Sequence, residues 1–120
     1  LFPQPLIDLH EIDAAQLGFK TGDVVRVFND RGACLAGVKI DDGVRQGVAV
    51  LPTGAWFDPL DVTVDNSLEK HGNPNVLTLD KGTSKLTQGC TAHTTLVEVE
   101  LFKGELPRVT AFDPPAFTSR

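Results

Sequence analysis

Hydrogen-bonding side chains are concentrated in one stretch of the sequence, from His71 to Gly89. The stretch combines two asparagines around a proline with glycines, hydroxyl side chains and an aspartate, and it contains few large apolar groups. Asparagine and glutamine present a donor and an acceptor together, as the edge of a pterin or purine requires, while glycine-flanked amides and hydroxyls suit phosphate oxygens. The stretch therefore indicates binding of a polycyclic ligand that bears phosphate. A solvated loop of Asx turns has the same composition, so composition leaves both interpretations open.

The only tryptophan, Trp56, lies upstream in the segment Thr53-Gly-Ala-Trp-Phe-Asp-Pro59, directly after a predicted strand. Loops at strand ends commonly carry functional residues. A lone tryptophan in such a place either covers a ligand ring or fills the end of the core.

Two other chemistries have the residue types they need but not the pattern. Nucleophilic catalysis could draw on Ser84, Cys34 or Cys90, yet the sequence has no GxSxG motif and no local pattern that singles out one nucleophile. A metal site could draw on His71, Cys90 and His93, but only Cys90-Thr-Ala-His93 has a short ligand spacing. Walker-type and GxGxxG loops are missing from the sequence, which removes the commonest routes to ATP and nicotinamide cofactors.

Length and charge bound the remaining function classes. The 120 residues, 41% of them hydrophobic and 22% charged, predict one globular domain over residues 1–120. A net charge of −5 opposes binding to a phosphate backbone, so we expect no nucleic-acid partner. No stretch reaches the roughly 18 to 20 apolar residues of a membrane span, and we expect no membrane partner either.

Methionine is missing from the whole sequence, including position 1. We therefore expect a fragment of a longer polypeptide or a processed product, and the fragment is the favoured interpretation. The two cysteines could form one disulfide, but they lie in no CxxC pair and do not determine the redox compartment.

The elements that must position these residues are mostly strands. Residues 10–18 favour one short helix, with acidic residues at its start and a glycine at its end. Residues 24–28 and 34–40, joined by the turn residues 29–32, predict a hairpin. Further strands are expected at the ranges 47–51, which suits a buried strand, 97–101, which alternates in polarity, and 108–112. The region from Gly54 to Gly89 is expected to be rich in loops, and many short strands with one helix favour a sandwich or a small barrel.

The order of these motifs resembles the C-terminal dinucleotide-binding domain of molybdopterin oxidoreductases over about residues 7–102. The resemblance is carried in the first half by Gly22-Asp-Val-Val-Arg-Val27 and Asn29-Asp-Arg-Gly32. In the second half it is carried by Gly54-Ala-Trp56 and by His71-Gly-Asn-Pro-Asn-Val-Leu-Thr78. The second half is most similar to the branch of dimethyl sulfoxide, trimethylamine N-oxide and biotin sulfoxide reductases.

The resemblance implies a mostly β fold, a double-psi β-barrel with one or two short helices. It also implies a module that helps to hold bis(molybdopterin guanine dinucleotide) in an enzyme whose molybdenum reduces an S-oxide or N-oxide, with the metal performing the chemistry. The residues that match the family motif are expected to contact the cofactor and not to catalyse. They are Thr53, Gly54, Ala55 and Trp56 at the strand end, and His71, Gly72, Asn73, Asn75 and Gln88 in the polar stretch.

The resemblance also sets limits. The molybdenum-ligating serine of this branch belongs to an earlier domain, so we expect this chain alone to be inactive, to lack cofactor, and to need the remaining domains of a parent reductase. Residues 54–93 are expected to be mobile without those domains. A freestanding small β-barrel enzyme and an interaction domain without ligand remain alternatives. The oxide substrate stays open, as does the compartment, bacterial periplasm or cytoplasm.

Overall fold

The computed structural model describes residues 5–119. Within this range the chain forms five strands and one α-helix, and the sheet is strongly curled into a half-barrel. The expectation of a mostly β fold with one helix is therefore confirmed. The elements are β1 (Leu6–Leu9), α1 (Glu11–Leu17), β2 (Val24–Asn29), β3 (Gly32–Ile40), β4 (Ala49–Val50) and β5 (Glu98–Leu101), with 3-10 turns at Pro74–Val76 and Ala92–Thr94.

The five strands lie in the order β4-β1-β3-β2-β5. β3 pairs in parallel with β1 and in antiparallel fashion with β2, while β4 and β5 are the edge strands. Every residue of β3 from Ala33 to Val38 is buried, as expected for a strand covered on both faces. The central strand thus provides a rigid base to which the polar loop can attach.

The hydrophobic core lies between the curled sheet and α1. It is formed by Ile7, Leu9, Ala14, Phe19, Val25, Val27, Cys34, Ala36, Val38 and Leu77. Val97 and Val99 pack against this core from the β5 side, so the predicted alternation holds at these two positions, whereas Leu101 is 39% exposed on the edge strand.

The predicted helix is confirmed, with the acidic Glu11 and Asp13 in its first turn and the expected glycine at its end, and the structure adds a cap at His10. The His10 ring accepts a hydrogen bond at Nδ1 from the backbone N–H of Ile12 (3.1 Å) and caps the first turn. Gly18 ends the helix with a φ of 77°, a left-handed conformation that glycine adopts at little steric cost. The carboxylate of Asp13 then accepts from the backbone N–H of Gly47 (2.6 Å), which connects the helix to the turn before β4.

Two strand predictions were wrong in part or in whole. The run 47–51 forms only the two-residue edge strand β4, and Val48 and Val50 are about half exposed, because the run lies at the sheet edge rather than in its centre. Residues 108–112 form no strand. They are irregular, because their backbone groups bond elsewhere than to a neighbouring strand. The N–H of Thr110 donates to the Asp58 carboxylate, and the carbonyl of Thr110 accepts from the N–H of Asp113 (3.0 Å) in a turn.

The hairpin of β2 and β3 and the loop-rich region from Gly54 to Gly89 are confirmed. Within that loop-rich region the described backbone has only isolated bridges and one 3-10 turn. Across residues 5–119, no helix has the length and apolar character needed to cross a membrane.

Candidate functional site

A buried carboxylate, that of Glu69, organises the polar loop. The side chain is fully buried and accepts four backbone N–H groups: Asp58 (3.1 Å) and His71 (2.9 Å) at Oε1, and Gly72 and Asn73 (both 2.6 Å) at Oε2. Because a buried charge is tolerated only where hydrogen bonds compensate its lost hydration, this arrangement fixes the backbone of all four residues.

Glu69 reaches this position because its backbone pairs in parallel with the central strand β3, next to Cys34. Its N–H donates to the carbonyl of Ala33, and its carbonyl accepts from the N–H of Leu35, both at 2.9 Å. The N–H of Lys70 donates to the carbonyl of Asp58 (3.0 Å), so residues 58 and 70 are paired on the other side. The loop is thereby attached to the central strand β3.

Gly72 is required at the sharpest point of this loop. Its φ is +93°, which other residues rarely adopt. A Cβ placed there would lie 2.8 Å from Cδ of Pro5 and 3.0 Å from the carbonyl oxygen of Leu35. The loop therefore approaches β1 and β3 more closely than a side chain would allow.

Trp56, His71 and Phe112 form an aromatic cluster at one end of the loop. Nδ1 of His71 lies 3.0 Å from the carbonyl oxygen of Trp56. Since a carbonyl can only accept, Nδ1 carries the proton and Nε2 of the neutral ring is left as an acceptor. The ring of Phe112 meets the His71 ring edge-on (5.2 Å, 87°) and the Trp56 ring at a tilt (6.1 Å, 44°). Trp56 and Phe112 are 66% and 72% exposed, so the cluster offers aromatic surface to a ligand or another domain.

The two asparagines around Pro74 have different roles. Asn73 is buried, and its Oδ1 accepts from the N–H of Asn75 (2.9 Å), which caps the 3-10 turn Pro74–Val76. Asn75 is exposed, and among the described residues its side-chain amide makes no hydrogen bond. Asn73 therefore shapes the loop, whereas Asn75 has a side chain free to bind a ligand.

Asn75 and Gln88 line the same cavity, which has a volume of about 470 Å³. Gln88 is held there because its Nε2 donates to the carbonyl of Ser84 (2.6 Å). Gly82 allows this position, since a Cβ on Gly82 would lie 2.0 Å from Oε1 of Gln88. The other lining residues are Thr78, Leu79, Asp80, Lys81, Gly82, Gly89 and Cys90.

A larger cavity of about 920 Å³ shares Leu79, Lys81 and Gly82 with the first. The turn between β2 and β3 lines part of this larger cavity and bonds to the backbone around it. Nδ2 of Asn29 donates to the carbonyls of Leu77 (2.8 Å) and Leu96 (3.0 Å), and Nε of Arg31 donates to the same carbonyl of Leu77 (2.8 Å). The two adjoining cavities are within the several hundred cubic ångströms that cofactor sites usually occupy.

The predicted site residues thus fall into two groups connected by the Glu69 loop. The structure brings Trp56 together with His71, and Asn75 together with Gln88, while Gly72 and Asn73 are buried between them. Thr53 and Gly54 are exposed and Ala55 is half-buried on the approach to Trp56. Neither the cavity that contains Asn75 and Gln88 nor the larger cavity that adjoins it includes the aromatic cluster.

Sequence reasoning missed Glu69, Asp58 and Phe112. Of these three residues, only Glu69 could have been suspected from the sequence. It is an acidic residue just before a run that contains a glycine, and the successive N–H groups of that run need acceptors. The contact of Asp58 with Thr110 joins residues 52 positions apart, and that of Phe112 with His71 joins residues 41 positions apart, so no local pattern reveals them.

The structure also bears on the other chemistries. Both cysteines are free thiols, and burial together with the nearby Glu69 carboxylate raises the pKa of Cys34 to about 12, which makes it inert as a nucleophile. Ser84 is engaged in its own turn, where Oγ accepts from the N–H of Thr87 (2.8 Å). Within the part of the chain that the structure describes, no group of three or more His, Cys, Asp or Glu side chains could hold a metal ion.

Comparison with known families identifies the domain. The family described as "Molydopterin dinucleotide binding domain" matches residues 2–96. The chain belongs to this family. As a molybdopterin dinucleotide binding domain, it is a cofactor-binding module, which confirms the family and the cofactor-binding role expected from the sequence.

Curated relatives of this molybdopterin dinucleotide binding domain are reductases. It is 54% identical over 104 residues to the trimethylamine-N-oxide reductase of Salmonella typhi, covering 87% of this chain and 12% of that protein. It is 50% identical over 107 residues to the dimethyl sulfoxide/trimethylamine N-oxide reductase of Rhodobacter capsulatus, covering 89% of this chain and 13% of that protein. The chain therefore spans only about an eighth of the length of these relatives.

Proposed function

We propose that this domain holds bis(molybdopterin guanine dinucleotide) as one part of a larger molybdenum enzyme that reduces an S-oxide or N-oxide. The observation that carries the proposal is the free amide of Asn75 beside Gln88 in a cavity of a chain that belongs to the dinucleotide-binding family. The names of the relatives support the reaction class, and their greater length supports a parent protein that supplies further domains.

The described residues fit such a cofactor. The side-chain amide of Asn75 offers a donor and an acceptor to the edge of a purine, and Gln88 adds a second amide in the same cavity. Lys81 lines both adjoining cavities, and its ammonium group suits a phosphate oxygen, which offsets the net charge of −5 locally.

We assign Trp56 and His71 to the second part of the binding surface, with Thr53, Gly54 and Ala55 contributing backbone groups before Trp56. His71 is buried, and because its Nδ1 is bonded to the carbonyl of Trp56 it holds this part of the surface in place. Gly72 and Asn73 act through the backbone shape that they share with Glu69. When bound, the cofactor supplies the redox chemistry, and these side chains hold and orient it.

We further propose that the curled half-barrel is the core of a double-psi β-barrel and that residues 1–120 form one domain. The attachment of the loop to β3 through Glu69 supports a single unit, because core and loop share backbone hydrogen bonds. The domain by itself is expected to be inactive, since the redox centre depends on the rest of the parent protein.

The proposal is tested in the purified parent protein by its molybdenum content and by the nucleotide that acid hydrolysis releases. We expect GMP as the released nucleotide. The substitutions Asn75→Ala and Gln88→Ala are each expected to weaken cofactor binding about fivefold, the value of one neutral hydrogen bond. Gln46→Ala, a change of an exposed glutamine in the turn before β4, is the matched control and should retain full content. Release of a different nucleotide, or equal retention in all three variants, would refute the assignment.

A further inference from the structure

The segment after β5, residues 107–113, returns to the candidate site although it lies beyond the part that matches the family. A single residue, Thr110, binds both oxygens of the Asp58 carboxylate. Its N–H donates to Oδ2 and its hydroxyl donates to Oδ1, both at 2.6 Å. An irregular segment is thereby anchored at one point to a residue 52 positions earlier in the chain.

Asp58 is itself part of the framework that holds the loop. It is buried, its N–H donates to the Glu69 carboxylate (3.1 Å), and its own carboxylate lies 3.6 Å from Nζ of the buried Lys70. Burial raises the pKa of Asp58, but the hydrogen bonds from Thr110 and the charge of Lys70 outweigh it, and the pKa lies below its usual value. The anchor therefore remains an ionised acceptor at neutral pH.

The consequence of this anchor appears two residues later, at Phe112. The turn that closes from Thr110 to Asp113 directs the Phe112 ring onto His71 (5.2 Å) and Trp56 (6.1 Å). The ring is mostly exposed, so core packing does not hold it there. The hydrogen bonds of Thr110 to Asp58 anchor the segment that carries this ring.

We propose that Thr110 is a positioning residue of the cofactor-binding surface, and that through it Phe112 forms the outer wall of the surface made by Trp56 and His71. The segment 107–113 then slows release of the bound dinucleotide by covering this end of the site. The inference rests on the proposed function only for the identity of the ligand, because the placement of Phe112 is a property of the chain itself.

The test uses the holo-protein that carries this chain and three substitutions. Thr110→Val removes the hydroxyl bond to Asp58, Phe112→Ala removes the wall, and Thr110→Ser keeps the hydroxyl. Thr118→Val, at an exposed threonine of the same C-terminal region, is the matched control. Two quantities are measured. The first is acrylamide quenching of the fluorescence of Trp56 in the 120-residue chain, which has no other tryptophan. The second is the rate at which the holo-protein loses its GMP-yielding cofactor during dialysis.

We expect Thr110→Val and Phe112→Ala to increase quenching of Trp56 and to accelerate cofactor loss, on the order of tenfold for Thr110→Val, as for a hydrogen bond to a charged acceptor. Thr110→Ser should behave as the unchanged protein. Unchanged quenching in Phe112→Ala, or equal effects in Thr118→Val, would overturn the inference. If circular dichroism shows that Thr110→Val is unfolded, the Phe112→Ala variant, which changes an exposed residue, still tests whether Phe112 covers Trp56 and slows cofactor loss. Holo-protein that yields no GMP would instead refute the proposed function, and the quenching result would stand separately.

Discussion

Replacing Glu69 by glutamine is the sharpest test of how the loop is held. The carboxylate accepts four backbone N–H groups at 2.6 to 3.1 Å in a fully buried place. A glutamine keeps one oxygen and places an NH₂ group where the other was, so two N–H groups lose their acceptor and face a donor. A hydrogen bond to a charged group contributes about 1.5 to 3 kcal/mol, and the loss of two predicts about 3 to 6 kcal/mol. A domain has about 5 to 15 kcal/mol of stability in total, so the variant is expected to be close to unfolding.

The assay for Glu69→Gln is urea unfolding followed by two probes. Far-ultraviolet circular dichroism reports the sheet, and the fluorescence of Trp56, whose carbonyl contacts His71, reports the loop. The matched control is Glu100→Gln, which removes an exposed ion pair with Arg26 (2.8 Å) and should cost less than about 1 kcal/mol. A loss below about 1 kcal/mol for Glu69→Gln in both probes would show that the four N–H groups find other partners, and the account of the loop would be wrong.

Four further predictions concern the loop and the neighbouring strand β3. Gly72→Ala should destabilise the domain by about 3 kcal/mol in urea unfolding, because it combines the cost of a positive φ with a clash against backbone. In the native protein a thiol reagent at pH 8 should label Cys90 but not Cys34, and labelling of both thiols without denaturant would contradict the burial. Since the pKa of Cys34 is raised from 9.0 to about 12 on folding, its contribution to stability is complete below pH 9 and is lost as the pH rises towards 12, by at most about 1.4 kcal/mol per unit. In a hydrogen-exchange experiment we expect slow exchange at amides 71–73, which all donate to Glu69, and fast exchange at residues 83–89. Equal exchange rates in the two segments would contradict the anchoring of the loop.

Hydrogen exchange also addresses the expectation that residues 54–93 are mobile as a whole, which stays a prediction. The structure divides that region. Its first part is bonded to β3 through Glu69, whereas its last part is held by hydrogen bonds within its own exposed turns. We therefore expect mobility to be concentrated in the second part, because only exposed contacts oppose local opening there.

Local chemistry in the sequence was sufficient for α1 and for the hairpin of β2 and β3. The cap at His10 and the glycine at position 18 define α1, and the turn residues 29–32 define the hairpin, because each signal acts within a few residues of the backbone it shapes. The strand β1 and the failure of residues 108–112 to form a strand were not predictable in this way. Both depend on which distant backbone groups are available for pairing.

The family motif indicated from the sequence alone which cofactor class this domain binds, whereas the composition of residues 71–89 by itself was equally compatible with a solvated loop. Which of those side chains remain available was decided only by the tertiary structure. Asn73 is used to cap a turn, Asn75 is free, and the aromatic cluster is completed by Phe112 from the far end of the chain. The physical reason is that a buried acceptor such as Glu69 and a returning segment such as 107–113 act across long sequence separations, where no periodicity or spacing records their partners.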